Sequence, residues 1–133
     1  MSWKEAKLLA YPIRLTVFVE EQKVPEALEL DANDPQAWHA IVFENGQAIA
    51  TGRLIRDGKI GRLAVLKQYR GQGYGSKLLK ALVDHGNNLG ILDFYLHAQT
   101  SAIGFYEQLG FKQIDSEFNE AGIWHIKMVL QHR

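Results

Sequence analysis

The decisive stretch is a strand, a loop and a helix in direct succession. It reads Ile60-Gly61-Arg62-Leu63-Ala64-Val65, then Leu66-Lys67-Gln68-Tyr69, then Arg70-Gly71-Gln72-Gly73-Tyr74-Gly75, and then Ser76-Lys77-Leu78-Leu79-Lys80-Ala81-Leu82-Val83-Asp84. A short apolar run is followed by three alternating glycines and then by an apolar stripe at helical spacing. Leu78, Leu79, Leu82 and Val83 form that stripe, with Lys77, Lys80 and Asp84 left to water. The helix is expected over residues 74–87, with Gly86 and Gly90 as two possible stops. A loop of this kind collects backbone N–H groups at a helix N-terminus, where the helix dipole favours an anion.

Working outward, residues 38–43 read as a strand that runs into Asn45-Gly46, a strong hairpin signal. Residues 47–56 return, and Asp57-Gly58 turns the chain again into residues 59–65. After the helix, residues 91–98 form an apolar run, read as a strand covered on both faces. Ser101 is placed to cap a short helix that closes at Gly110. Residues 111–118 and 123–130 are a last hairpin around Asn119-Glu120-Ala121-Gly122. At the start of the chain, residues 12–22 read as a helix with Pro12 in its first turn, ended by Val24-Pro25. The fold class is therefore α+β: a central, mostly antiparallel sheet flanked by helices.

Composition bounds the rest. At 133 residues one domain, 1–133, is expected. Hydrophobic residues make up 47% and charged residues 23%, ordinary globular values. Fifteen Lys+Arg balance fifteen Asp+Glu, so no global field draws the chain to nucleic acid or membrane. The absence of cysteine excludes disulfides, thiolate nucleophiles and Cys-based zinc sites, and agrees with a cytoplasmic location. No apolar run has the length of a membrane span or a signal peptide. The five histidines lack zinc-ligand spacing, and no metal is expected. The charge is nevertheless divided: residues 20–34 carry six acids against Lys23, and residues 53–80 carry eight bases against Asp57. Two solvated faces would give that pattern, and so would a cleft that takes an anion on one side and a cation on the other.

Two familiar phosphate loops do not fit. A P-loop needs Gly-Lys-Ser/Thr, whereas Gly75 is followed by Ser76-Lys77. A dinucleotide fingerprint needs glycine where Leu78 stands, and an acid at the end of the next strand, where Asp93 lies too early.

The loop instead resembles the pyrophosphate loop of the GCN5-related N-acetyltransferase (GNAT) family, whose pattern is Arg/Gln-x-x-Gly-x-Gly/Ala. Residues 102–111, Ala102-Ile103-Gly104-Phe105-Tyr106-Glu107-Gln108-Leu109-Gly110-Phe111, resemble that family's second motif, Ala-x-x-Phe/Leu-Tyr-x-x-x-Gly-Phe. The element order is similar as well. Residues 17–25 with Glu29 and Asp31, and the late Gly122-Ile123-Trp124-His125-Ile126, resemble the ElaA-like branch.

The resemblance implies acetyl-coenzyme A (acetyl-CoA), bound through Leu63, Ala64, Val65, Arg70, Gly71, Gln72, Gly73, Tyr74, Gly75, Ser76, Gln99 and Tyr106. The loop N–H groups would hold the pyrophosphate, and strand 63–65 would pair with the pantetheine arm. The Leu63 N–H would donate to the thioester carbonyl, and Tyr106 would serve the departing thiolate as general acid. Phe105 and Leu109 are expected to form a buried pair that leaves Tyr106 pointing elsewhere. Gln99 stands where the family often has Asn, and Lys59 where histone-modifying members carry a glutamate base.

The implied reaction is transfer of an acetyl group to a primary amine of a small molecule, by direct attack in a ternary complex. Homodimers are common in the family. Candidate bases are Glu20, Glu21, His97 and His125, and the acidic run, with Glu29 and Asp31, is the candidate for holding a cationic acceptor. A coenzyme A-binding sensor without turnover is the alternative function.

Overall fold

The computed structural model describes residues 1–24 and 33–130. The chain opens with α1 (Trp3–Arg14), held at its start by a capping box: Ser2 Oγ accepts from the Glu5 N–H, and Glu5 Oε1 accepts from the Ser2 N–H. The first helix thus begins nine residues before the expected Pro12, and Pro12 lies inside its last turn. Beyond Arg14 the coil widens into a π-helix over Leu15–Glu21, with the Gln22 N–H donating to the Val17 carbonyl at 3.2 Å. Widening changes the side-chain period, and Ile13 and Val17 both bury against Ala64 of the sheet.

Six strands follow in sequence: β1 (Trp38–Glu44), β2 (Gln47–Leu54), β3 (Lys59–Val65), β4 (Tyr95–Gln99), β5 (Phe111–Glu120) and β6 (Ile123–Leu130). Their order in the sheet is β1-β2-β3-β4-β6-β5, and only the β3–β4 pair is parallel. The expected mixed α+β class, with a mostly antiparallel sheet, is what the chain forms. Both early hairpins stand where the turn residues put them. Asn45 and Gly46 take the positive φ that a tight hairpin requires (52° and 79°).

α2 (Tyr74–Asn88) covers one face of the sheet and α1 the other, so β2 is buried continuously from Ile49 to Leu54. Leu79 and Leu82 of α2 join Leu54, Ile60, Phe94, Leu96, Met128 and Ile126 in the main core. The fourth strand is shorter than its apolar run suggested: residues 91–94 are not strand, and Phe94 is core without being sheet. Nor does Ser101 cap the following helix. A 3-10 turn, Thr100–Ala102, leads into α3 (Ile103–Gln108), and Ala102 stands at its cap with no side-chain bond.

The feature that positions the site is a fork between β3 and β4. They pair at Lys59↔Tyr95 and Ile60↔Leu96 and no further. β4 then runs alongside β6 for its full length, while β3 stays with β2. A bulge between Thr51 and Arg53 of β2, with Arg62 of β3 at φ 51°, bends β3 where the two part. The base of the fork depends on Gly58: its φ is +99°, and a Cβ there would lie 2.1 Å from the Asp93 carbonyl oxygen.

Candidate active site

The fork opens onto a cavity of about 430 Å³. β3 contributes Lys59, Gly61, Arg62 and Leu63 to its wall, β4 contributes His97 and Gln99, and α3 contributes Tyr106. Glu120, Ile123 and His125 close it from the last hairpin, and Phe18 and Gln22 from the π-helix side. Of the residues expected in a site, Leu63, Gln99, Tyr106, His97 and His125 are brought together here. Residues 70–76, Glu20 and Glu21 do not line the cavity. Glu29 and Asp31 lie outside the described residues.

Tyr106 is half-buried, its ring edge-on to Phe105 (5.0 Å between centroids) and Phe111 (6.1 Å). It packs on the main core as well as lining the cavity. Burial pushes its phenol up to about 12. The expected burial of Phe105 is not found. Its side chain is 37% exposed, because it lies over Gly75 at the start of α2, where a Cβ would be 3.2 Å from Phe105 Cζ. The two sequence motifs therefore meet in space, and Gly75 serves the close approach.

The loop after β3 passes through a 3-10 turn, Lys67–Tyr69, and reaches α2 at Gly73. Gly71 (φ 79°) and Gly73 (φ 86°) adopt left-handed backbone, which glycine takes without strain. A Cβ on either would meet nothing within 4 Å, so the space in front of them is open. Among the described residues no side chain caps α2. Arg70 is otherwise engaged than expected. Its two terminal nitrogens meet Glu21 at 2.9 Å each, and Nε donates to the Val65 carbonyl at 2.8 Å. The Tyr74 hydroxyl donates to Glu44, which raises its pKa.

The two charge runs do not stay apart. Besides Glu21 with Arg70, Asp34 is 1% exposed and sits between Arg14 (2.9 and 3.1 Å) and Arg53 (3.1 Å), both buried. His39, also buried, places Nε2 3.0 Å from the Asp34 carbonyl, and desolvation lowers its pKa. At least two of the acids expected to face an acceptor are thus paired with bases of the opposite run or of α1.

Several cavity residues had not been singled out by sequence. Gln22 accepts from Gln99 Nε2 at 2.8 Å, and Glu120 Oε2 lies 3.3 Å from His97 Nδ1. Local sequence holds no signal for either contact, since each joins segments far apart in the chain. Among the described residues, no helix is long and apolar enough to cross a membrane.

Comparison with known proteins agrees with this geometry. The acetyltransferase (GNAT) domain family matches residues 5–132. The uncharacterized N-acetyltransferase YjcF of Bacillus subtilis is 36% identical over 124 residues, covering 90% of this chain and 89% of that protein. An acyl-CoA N-acyltransferase from Pseudomonas aeruginosa superposes with a TM-score of 0.85 at 30% identity, covering 94% of this chain and 89% of the other. Escherichia coli ElaA superposes with a TM-score of 0.84 at 26% identity, over 96% and 90% of the two chains. The chain belongs to the GNAT acetyltransferase family and is an acyltransferase.

Proposed function

We propose that this protein is an acetyl-CoA-dependent N-acetyltransferase, acting as a single domain on the primary amine of a small molecule by direct attack within a ternary complex. The observation that carries the reading is the β3–β4 fork, which opens between an uncapped, glycine-lined helix N-terminus and a cavity walled by Tyr106. The open space in front of Gly71 and Gly73 fits a pyrophosphate. The edge of β3 beyond Ile60 has no strand partner on the β4 side, which fits an extended arm lying along residues 63–65.

Coenzyme A supplies the acetyl group as an activated thioester. The N–H groups of Gln72, Gly73, Tyr74, Gly75 and Ser76 hold its diphosphate, while Arg70, bound to Glu21 and to Val65, braces the loop behind them. The Leu63 N–H donates to the carbonyl oxygen as charge gathers on it. Tyr106 donates a hydrogen bond to the leaving sulfur. Its phenol near 12 is a much weaker acid than a thiol near 8.5, so outright transfer would be uphill by roughly 5 kcal/mol. The phenol therefore acts while the C–S bond breaks, and the thiolate takes any later proton from solvent. An acceptor ammonium must lose a proton before it attacks. Of the four candidate bases only His97 and His125 line the cavity.

Calorimetry with acetyl-CoA, and thiol release across a panel of amines, polyamines and amino sugars, test the reading. Gly73→Asp puts a carboxylate at the diphosphate and should cost at least about 2–3 kcal/mol of binding. Equal affinities would refute the loop assignment. Binding without thiol release from any amine would leave a coenzyme A sensor.

A further inference from the structure

We propose that His97, with Glu120 behind it, is the general base that takes the proton from the acceptor amine. The inference rests on the acetyltransfer reading above and selects one residue for a role that the two motifs leave vacant.

Position comes first. Gly61 of β3 and His97 of β4 are the first residues past the last paired rung, Ile60↔Leu96, and both line the cavity. Strand alternation sends Leu96 and Ala98 into the core and puts His97 and Gln99 on the opposite face. Leu63, on β3, and that imidazole, on β4, line the same cavity.

The ring is fixed by its neighbours. Phe118 meets it edge-on, 4.9 Å between centroids, and Tyr95 flanks it at 6.3 Å. Glu120 Oε2 stands 3.3 Å from Nδ1, an ion-pair distance turned away from the hydrogen-bond direction. A carboxylate on that side favours the tautomer with its hydrogen on Nδ1, which leaves the Nε2 lone pair as the base. Among the described residues Nε2 has no hydrogen-bond partner. His125 differs: its Nδ1 lies 2.7 Å from the Ile123 carbonyl, its ring stacks on Phe118, and it pairs across from Gln99, farther from the fork.

The charges around His97 come from four strands. Lys59 on β3 lowers its pKa, as does His125 on β6, while Glu120 at the end of β5 raises it. Lys127 is its cross-strand neighbour on β6, with the ammonium over the Tyr95 ring, and Arg53 and Arg62 line the same cavity. Desolvation is the largest influence and also lowers the pKa, so the ring is neutral at pH 7 and able to accept. In the step, the ammonium N–H bond breaks and its proton moves to Nε2. The amine lone pair forms the C–N bond, the C–S bond breaks with its electron pair leaving on sulfur, and the attacking nitrogen gives its second proton to solvent, which leaves a neutral amide and a thiolate. His97 then returns its proton to solvent.

The test is the pH profile of kcat/KM for thiol release from acetyl-CoA, with the best acceptor among ethanolamine, spermidine and tyramine. Wild type should lose activity on the acid side as His97 protonates. The ammonium groups of ethanolamine, spermidine and tyramine titrate well above that limb, so one of these three is used for the profile. His97→Gln should bind acetyl-CoA as wild type does, lose about 10²-fold or more in kcat, and lose the acid limb. Glu120→Gln should move the limb to lower pH and Lys59→Met to higher pH, each by about half a unit or more. A merely structural role would not produce opposite shifts from opposite charges. The proposal is overturned if His97→Gln turns over normally, if the limb ignores both charge changes, or if His125→Gln removes the limb instead. Failure of wild type to bind acetyl-CoA would overturn the acetyltransfer reading itself, and calorimetry reports that outcome separately.

Discussion

Neutralising Asp34 should be among the costliest isosteric changes in this molecule. Its carboxylate is 1% exposed, and the two guanidinium groups it holds belong to Arg14, also 1% exposed, and Arg53, at 4%. The contacts at 2.9, 3.1 and 3.1 Å join the end of α1 to the end of β2 through a residue that lies in neither. Removing one member of a buried ionic cluster typically costs about 3–5 kcal/mol, because the remaining charges stay desolvated without compensation. Asp34→Asn keeps the shape and one acceptor oxygen, but it removes the negative charge between two buried guanidinium groups and sets an NH2 donor against guanidinium donors. We therefore expect a loss of about 2–3 kcal/mol for Asn and about 3–5 kcal/mol for Ala. At about 4 °C per kcal/mol for a chain of this length, Asn should lower Tm by about 8–12 °C. Urea denaturation followed by tryptophan fluorescence measures the loss directly. Asp84→Asn, which breaks the exposed pair with Lys80 at 3.0 Å, is the control and should cost under about 0.5 kcal/mol. An Asp34→Asn variant within 1 kcal/mol of wild type would show that the two arginines find other anions or water. The cluster would then not secure α1 to the sheet.

Other outcomes follow from the same structure. Tyr106→Phe should lower kcat by about 10²-fold and leave the acetyl-CoA Kd within about twofold, because the hydroxyl acts on the leaving sulfur and not on cofactor binding; stopped thiol-release assays and calorimetry separate the two. Gly58→Ala should cost more than about 3 kcal/mol, since its Cβ would lie 2.1 Å from the Asp93 carbonyl at a φ of +99°, and a denaturation curve close to wild type would refute the close approach. Stability should also fall as pH drops below about 6.5. His39 and His97 both have folded pKa values lowered by desolvation, so the unfolded chain takes up protons first and acid favours it. In urea titrations at pH 7.5, 6.5 and 5.5, His39→Gln should flatten part of that fall.

The parts legible in the sequence are those whose physics is local. Asn45-Gly46 and Asp57-Gly58 announce turns because positive φ is a property of one residue and its Cβ. The helix stripe of Leu78, Leu79 and Leu82 announces a buried face because helical spacing lies within one segment. Both motifs are contiguous for the same reason. The start of α1 is equally local, since Ser2-Trp3-Lys4-Glu5 is a capping box, but Pro12, which favours a first turn, is a competing local signal. Its tolerance in the last turn, and the widening to a π-helix after it, depend on how Ile13 and Val17 meet Ala64, which is tertiary information. Long-range polar contacts were illegible altogether. Asp34 and Glu21 looked like free acids because the residues that neutralise them, Arg53 and Arg70, stand on other elements.

The same division separates the proposed cofactor side of the site, which rests on contiguous sequence, from the proposed acceptor side, which does not. A diphosphate is held by backbone, and backbone geometry follows from glycines at fixed spacing. Gly71 and Gly73 carry that information within three residues. An acceptor is held and deprotonated by side chains that converge from separate strands. Here the convergence depends on β3 and β4 parting after Ile60↔Leu96, and the parting depends in turn on a bulge opposite Thr51 and Arg53 and on the missing Cβ of Gly58. His97 becomes a residue of the cavity only because of that fork, and Glu120, at the end of β5, reaches it only across β6, which lies between β5 and β4. Relatives that keep both motifs and the proposed base can therefore change acceptor by altering other residues of the cavity wall, such as Lys59 and Ile123, with no trace in either motif. Exchanging those two side chains between two relatives of different acceptor preference should move the preference and leave the acetyl-CoA Kd where it was.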